Sequence, residues 1–178
     1  MTSRADLADR LKGRVADLVA LFAAIERTRM AGVPVLNRAL RVEAVGFELV
    51  AANAGDAVAG LGILITPWFM NLVRLPLQRG DDAAVGRTQM HQVNGRALDF
   101  IGAHEPAFGA FVACSLFSPV FEFSDQASAR SMALAVLVQL RAEPEPPVIA
   151  PEATVAAEAL PARRSFLFGR SAAGVVRP

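Results

Sequence analysis

The sequence predicts an α+β fold in which a long N-terminal helix, a mostly antiparallel sheet and a second helix follow one another along the chain. Residues 3–30 repeat apolar side chains with a helical period, residues 39–119 consist of short apolar stretches separated by turn signals, and residues 125–141 carry a second capped helical pattern. Because these helices and strands do not alternate, a parallel α/β sheet is not expected. We expect both helices to pack on the same face of the sheet.

The spacing of apolar residues predicts the first helix. They recur every three or four positions, as one face of a helix requires, at Leu7, Leu11, Val15, Leu18, Phe22 and Ile25. Ser3 is placed to cap the N-terminus, with Asp6 in the first turn. Gly32 and Pro34 follow the pattern and end the helix near residue 30, because glycine terminates helices and proline cannot continue one.

The first three strands are predicted from apolar stretches between turn residues. Residues 40–50, LRVEAVGFELV, alternate in polarity with a slip near Gly46, which predicts a β-bulge. Residues 58–65, VAGLGILI, are apolar on both faces, as expected for a central strand covered on both sides. Residues 67–76, PWFMNLVRLP, are interpreted as the next strand, which ends at Pro76.

The rest of the body contains a hairpin, a further strand and the second helix. Asn94 and Gly95 separate two strand-like stretches and form a strong hairpin signal. Residues 110–117, AFVACSLF, are again uncharged and predict a strand. Ser124 and Asp125 are expected to cap the helix at 125–141, which has alanine, leucine and valine on most sides, so this helix is expected to be well buried.

The composition excludes several classes of function. A formal net charge of +1 over 178 residues lacks the basic excess of a nucleic-acid-binding protein. The single cysteine excludes an intramolecular disulfide, and the charged N-terminal sequence does not resemble a signal peptide, so a cytoplasmic location is expected. The longest uncharged window, residues 57–73, is shorter than the ~20 residues of a membrane helix and contains Pro67, so no stable membrane insertion is expected.

Candidates for catalysis or metal binding are few. Cys114 could act as a nucleophile with His91 or His104 as its base. It lies in the middle of a predicted strand, however, where a free cysteine is more commonly a small buried hydrophobic residue. The two histidines are 13 positions apart, which matches no ligand spacing, and Asp99 and Glu105 near them do not complete one. We therefore expect no enzymatic activity, no cofactor and no metal site.

The composition also divides the chain into a body and a C-terminal extension. Residues 3–141 are expected to form the α+β domain. Residues 142–162 are rich in proline and alanine without a regular period, which predicts an extended linker. Residues 163–178 form a tail that contains RRSFLFGR, an apolar patch between arginines, which either packs back onto the body or binds a partner.

Trp68 and Phe69 give the first indication of a binding face. Trp68 is the only tryptophan of the chain. Adjacent residues of a strand point to opposite faces of a sheet. If residues 67–76 are a strand, one of these two aromatic side chains must therefore face away from whatever buries the other.

Three segments, taken in order, resemble one protein family. They are GILITPWFMNLVRLP at 62–76, FVACSLFSPV at 111–120 and RRSFLFGR at 163–170, and they resemble the HybE/HupJ family of [NiFe]-hydrogenase assembly chaperones. The resemblance implies a cytoplasmic maturation chaperone that is not an enzyme. Such a chaperone binds a hydrogenase subunit precursor during cofactor insertion and assembly, before export through the twin-arginine pathway. Some members carry a fused rubredoxin domain; with one cysteine this chain cannot form that iron site, so the further partners that the resemblance implies are other maturation proteins or a separate rubredoxin.

The candidate site follows from the resemblance and from the uncharged segments together. A chaperone for one client needs an apolar contact surface and no activated side chain. Residues 61–65 are interpreted as core, and the residues after them as a client-facing edge. Partner binding is assigned to Thr66, Pro67, Trp68, Phe69, Met70, Asn71, Ser118, Pro119, Arg163, Arg164, Phe166 and Phe168. The alternative is a small thiol-dependent or electron-transfer accessory protein that uses Cys114.

Overall fold

The structure is a computed structural model, and it describes residues 3–50, 58–80 and 84–142. The predictions for the linker and for the tail, including Arg163, Arg164, Phe166 and Phe168, lie outside the described residues. The chain divides into two units, residues 1–144 and 145–178, and all described residues belong to the first.

Two helices flank a six-stranded sheet in the described part of the chain. In chain order the elements are α1 (Arg4–Arg27), β1 (Glu43–Val50), β2 (Ala59–Ile65), β3 (Met70–Pro76), β4 (Thr88–Val93), β5 (Arg96–Glu105), β6 (Gly109–Phe117) and α2 (Gln126–Arg141). The strand order across the sheet is β1-β2-β3-β6-β5-β4, and every neighbouring pair is antiparallel. The predicted α+β class is confirmed.

α1 begins as the sequence predicts. The Ser3 hydroxyl accepts a hydrogen bond from the Ala5 amide at 3.2 Å, and the Asp6 carboxylate accepts one from the Ser3 amide at 3.1 Å. These bonds satisfy amide groups that have no partner inside the helix. At the other end the Thr28 amide closes the last turn, so the helix ends three residues before the predicted position.

The two helices lie on opposite faces of the sheet, and the prediction that they share a face is wrong. One hydrophobic cluster contains Ile63 and Leu72 together with Leu137 of α2. The other contains the sheet residues at the positions in between, such as Leu64, together with Leu18 of α1. All seven residues of β2 are buried. Because such a strand presents apolar side chains on both faces, each face needs its own covering layer.

The predicted bulge in β1 is confirmed at Gly46. The register with β2 shifts between Val45 and Glu48, and Gly46 has a φ of 62°. A Cβ atom at this position would overlap the Leu137 Cδ1 of α2. The missing side chain lets α2 approach β1 closely, where the Arg141 guanidinium donates to the Gly46 carbonyl at 3.1 Å.

α2 is less buried than predicted. Its N-terminus is capped as expected, since the Asp125 carboxylate accepts from the Ser128 amide at 2.7 Å. Only three of its residues are buried, namely Ala129, Ala133 and Leu137. Leu134 and Val138 on its outer side are 44% and 65% exposed. The outer side stays open because no other element of the described residues packs on it.

Candidate partner-binding surface

Residues 66–69 form a tight turn between β2 and β3, whereas the sequence predicts a strand from residue 67. The Thr66 amide donates to the Phe69 carbonyl at 2.8 Å, and the Thr66 hydroxyl donates to the same oxygen at 3.0 Å. That hydroxyl also accepts from the amides of Trp68 and Phe69 at 3.3 and 3.0 Å. The sequence interpretation failed because the Thr66 side chain supplies the hydrogen bonds that a sheet partner would otherwise supply.

Trp68 and Phe69 therefore lie on the same side of the sheet, contrary to the predicted split. Both are half-buried and both belong to the α1 cluster. The ring centroid of Phe22 lies 6.3 Å from that of Trp68 and 5.5 Å from that of Phe69. The alternation rule applies only inside a strand, and a turn can direct two successive side chains to one face.

The aromatic contacts continue from this turn across the sheet to a buried arginine. Phe22 also contacts Phe111, whose ring lies 5.8 Å from that of Phe108. The Arg14 guanidinium lies 3.8 Å from the Phe108 ring centroid and donates to the carbonyls of Phe108 and Pro76 at 3.0 and 3.2 Å. Burial lowers the pKa of Arg14. α1 is thus held on the sheet both by Arg14 and by Phe22. The Phe22 ring that supports Trp68 and Phe69 therefore has a fixed position.

Asn37 holds this turn against the loop that follows β6. Its amide donates to the Pro67 carbonyl at 2.7 Å. Its side-chain Nδ2 donates to the carbonyls of Val120 and Phe123 at 3.0 and 2.8 Å. Asn37 was not among the residues predicted from the sequence. The sequence feature that could have indicated its role is that Asn37 is the one amide side chain in the largely apolar stretch between α1 and β1.

Ser118 and Pro119 lie at the same end of the sheet. Phe117, the last residue of β6, pairs with Met70, the first residue of β3. Ser118 and Pro119 are exposed, and Phe121 close behind them is 58% exposed. Phe121 was likewise not among the predicted site residues. The turn at 66–69 and the loop at 118–121 thus lie at the same end of the sheet and are joined by Asn37, and we call them together the TPWF end.

The structure separates the predicted site residues by accessibility. Trp68, Phe69 and Asn71 are half-buried, and Ser118 and Pro119 are exposed. The other three described members are buried, namely Thr66, Pro67 and Met70. The five half-buried or exposed residues can therefore contact a partner directly, whereas the three buried residues support the turn.

Cys114 is placed poorly for thiol chemistry. It is half-buried beside the α2 cluster. Burial raises the pKa of its thiol, and the nearby Asp99 carboxylate raises this pKa further. A raised pKa decreases the fraction of thiolate, which is the reactive form. Among the described residues, no group of three or more histidine, cysteine or acidic side chains is arranged to hold a metal ion.

Two concave surfaces flank β1, and neither is lined by the predicted site residues. One of about 650 Å³ lies between β1 and the first half of α1, with Leu11 and Phe47 in its wall. The other, about 290 Å³, lies between β1 and the end of α2. Within the described ranges, no helix has the length and apolar character needed to cross a membrane.

Comparison with known proteins gives consistent results. Residues 13–169 match the family model described as "[NiFe]-hydrogenase assembly, chaperone, HybE". The chain is 50% identical over 167 residues to the protein HoxT of Cupriavidus necator, covering 88% of this chain and 89% of that one. It is 35% identical over 134 residues to the probable rubredoxin HupJ of Rhodobacter capsulatus, covering 74% of this chain and 46% of the relative.

One solved structure is similar in fold. The solution structure of HybE from Escherichia coli matches with a TM-score of 0.50 and covers 90% of this chain and 91% of that chain. The sequence identity is 20%, so this match supports the fold alone.

Proposed function

The chain belongs to the HybE family of [NiFe]-hydrogenase assembly chaperones, and from this premise we propose that it binds a [NiFe]-hydrogenase subunit precursor through the TPWF end. The complex holds the precursor in the cytoplasm during cofactor insertion and subunit assembly, and it dissociates before export through the twin-arginine pathway. The chaperone catalyses no covalent step.

The observation that carries this proposal is the fixed, half-exposed pair of Trp68 and Phe69. Large aromatic side chains supply much of the energy of protein interfaces. Their turn is held by the Thr66 hydroxyl and by Asn37, and their rings rest on Phe22. Because these side chains are already ordered, binding loses little conformational entropy.

The loop after β6 extends the proposed contact. Ser118 and Pro119 are exposed, and Phe121 exposes 58% of its surface. Isolated exposed apolar residues are common on protein surfaces, but several at one end of a sheet are more typical of an interaction site. In our proposal Phe121 joins Trp68 and Phe69 as a contact residue, while Thr66, Pro67 and Met70 hold the turn in place.

The C-terminal extension has a second role in the proposal. Residues 142–162 serve as a linker after the domain at 3–141, and Arg163, Arg164, Phe166 and Phe168 in the tail also contact the precursor. A rubredoxin that takes part in maturation would be a separate protein, because this chain has one cysteine and a rubredoxin iron site needs four.

The proposal is tested by co-purification of hydrogenase subunit precursors with the full chain. Trp68→Ala is expected to weaken capture about thirtyfold, since the loss of an aromatic anchor costs ~2 kcal/mol. Val138→Ala is the matched control, because Val138 is apolar and 65% exposed but lies on α2, away from the TPWF end. Wild-type capture by folded Trp68→Ala would show that the precursor binds elsewhere.

Thiol labelling of Cys114 separates this proposal from a thiol-dependent function. Because the pKa of Cys114 is raised, we expect slow labelling at neutral pH that accelerates only above the usual titration range of a cysteine. Rapid labelling of the folded protein at neutral pH would favour the thiol-dependent accessory instead.

A further inference from the structure

The two edge strands of the sheet differ in how they are protected. β1 is interrupted by the bulge at Gly46, and its carboxylates Glu43 and Glu48 form ion pairs with Arg130 and Arg141 of α2. Bulges and charged side chains are usual means by which an edge strand avoids pairing with another chain. β1 is therefore a protected edge.

β4, the other edge strand, has none of these protections. Its sequence TQMHQV contains no lysine, arginine, acidic residue or proline, and its register with β5 runs without a shift from Thr88 to Val93. Met90 in its middle is 69% exposed, the highest value of any large apolar residue in the described ranges. Among the described residues, no strand pairs with the outer side of β4. A regular, uncharged edge of this kind is a template for another strand.

The hydrogen-bond pattern of the β4–β5 hairpin determines which backbone groups of β4 face outward. The two-residue turn Asn94–Gly95 is closed by the pair Val93–Arg96, and hydrogen-bonded and non-hydrogen-bonded pairs alternate along the strands from there. At the other end of the hairpin the Gly102 amide donates to the Arg87 carbonyl at 3.0 Å, as this alternation requires. The N–H and C=O groups that point away from β5 are therefore those of Thr88, Met90 and Gln92.

This pattern is self-complementary, so a second copy of the chain fits the edge. When two β4 strands run antiparallel with Met90 of one copy opposite Met90 of the other, Thr88 of each copy lies opposite Gln92 of the other. Each of these three pairs then exchanges both of its backbone hydrogen bonds. A shift of two residues in either direction leaves only two such pairs, so the register centred on Met90 is preferred.

The same register matches the side chains on both faces. Ile101 of β5 is 52% exposed and pairs with Thr88, so it lies beside Met90 on the sheet face that carries α1. The Met90 and Ile101 side chains of the two copies then form one apolar patch. On the other face His91 of each copy lies opposite Gln89 of the other, and no like charges meet.

We propose that the chain forms a reversible homodimer in which two β4 strands pair antiparallel about a two-fold axis at Met90 and join the two sheets into one. One short strand gives a small interface, so the dissociation constant should be on the order of 10 µM. β4 lies three strands from β3, about 14 Å away, so the dimer leaves the TPWF end accessible. Dimer formation does not depend on precursor binding.

Analytical ultracentrifugation of the full chain tests the dimer. Sedimentation from about 1 to about 500 µM should show a shift from monomer to dimer. Met90→Lys should weaken the dimer at least about tenfold, because two ammonium groups would meet at the axis. Met90→Pro should do the same, since the Met90 N–H faces away from β5 and its loss spares the hairpin. Val138→Lys is the matched control, because Val138 is 65% exposed but lies on α2.

Cysteine cross-linking tests the register. In a Cys114→Ser background, Met90→Cys should give a covalent dimer on oxidation with copper phenanthroline, because a hydrogen-bonded pair has Cα atoms about 5.5 Å apart, within disulfide range. Gln92→Cys is the matched control, since the two Gln92 positions are separated by roughly 14 Å. A mixture of Thr88→Cys and Gln92→Cys chains should cross-link to each other.

Several outcomes would overturn the dimer. One is a chain that remains monomeric over the whole concentration range. Another is a dimer that survives both Met90 substitutions and is lost in Val138→Lys, which would place the contact on α2. Reduced precursor capture by Met90→Pro without a change in oligomeric state would assign the β4 edge to the precursor. Cross-linking of Gln92→Cys but not of Met90→Cys would show that the register is wrong.

Discussion

Two of the tight hairpins among the described residues, β4–β5 and β2–β3, are built differently. Between β4 and β5, Asn94 and Gly95 adopt φ values of 47° and 77°, as in a type I′ turn. Between β2 and β3, the backbone at 66–69 is closed by the Thr66 hydroxyl, by Asn37 and by packing on Phe22. The first turn depends on residues that tolerate a left-handed backbone, whereas the second combines the local hydrogen bonds of Thr66 with contacts from Asn37 and Phe22, which are distant in the chain.

This difference has a functional consequence. A turn specified locally places small residues at the tip of a hairpin. A turn specified by tertiary contacts can hold two large aromatic side chains half-exposed in fixed positions. We therefore expect variants of the second turn to affect both stability and precursor binding, and variants of the first to affect stability alone.

Phe22→Ala should have the largest effect. Phe22 is buried under Trp68, Phe69 and Phe111, and deletion of a buried phenylalanine costs about 4 kcal/mol. Denaturant unfolding should show this loss, and the folded fraction should capture less precursor. Phe121→Ala is the matched control for stability, since Phe121 is 58% exposed and its removal should cost little. A loss of similar size in both variants would contradict the supporting role of Phe22.

Asn37→Ala should have the second-largest effect on stability. The substitution removes the side-chain hydrogen bonds to the carbonyls of Val120 and Phe123 and the one from the Ala39 amide, for a loss of about 3 kcal/mol. Thermal unfolding and precursor capture should both decline. Asn37→Asp should be no better, because a carboxylate oxygen would replace the donor that faces two carbonyls. Recovery of wild-type stability by Asn37→Asp would show that the donor is unimportant.

Thr66→Val should lower the free energy of unfolding by about 2 kcal/mol, because it leaves the Trp68 and Phe69 amides without their acceptor. Thr66→Ser keeps the hydroxyl and serves as the control. We expect Thr66→Val to alter Trp68 fluorescence and to weaken precursor capture, with Thr66→Ser close to wild type in both. Unchanged fluorescence in Thr66→Val would mean that the turn holds its shape without this hydroxyl.

Gly95→Ala should have the smallest effect on stability. It tests whether the β4–β5 turn, unlike the β2–β3 turn, affects stability alone. An alanine at a φ of 77° is strained by about 1 kcal/mol. Unfolding experiments should show this loss, while precursor capture by the folded protein stays at the wild-type level. Reduced capture at equal folded concentration would show that the β4–β5 hairpin also contributes to binding.

Features specified by local chemistry were predictable from the sequence. The caps at Ser3 and Asp125, the bulge at Gly46 and the Asn94–Gly95 turn each follow from the backbone preference or hydrogen-bonding capacity of the residues concerned. Their signals lie within a few positions of the structure they specify. The α+β class followed in turn from the order of these elements.

Features that depend on distant contacts were not predictable from local patterns. The apolar character of β2 on both faces implied two covering layers, but it did not indicate where each helix would pack. The Thr66 hydrogen bonds that close the turn at 66–69 are local, but the uncharged sequence around them also fits a strand, and the contacts from Asn37 and Phe22 that hold the turn come from distant parts of the chain. Likewise, the exposure of Leu134 and Val138 depends on what packs against α2, which its own sequence does not specify.

The arrangement of the sheet between two helices also affects how the protein opens. β2 and β3 supply side chains to both hydrophobic clusters, so neither helix packs on a set of strands of its own. Detachment of either helix therefore exposes one face of both β2 and β3. Native-state hydrogen exchange should find the amides of β2 and β3 among the slowest, because their exchange requires both layers to be lost. A client that binds beside α1 would slow exchange in the sheet beneath it.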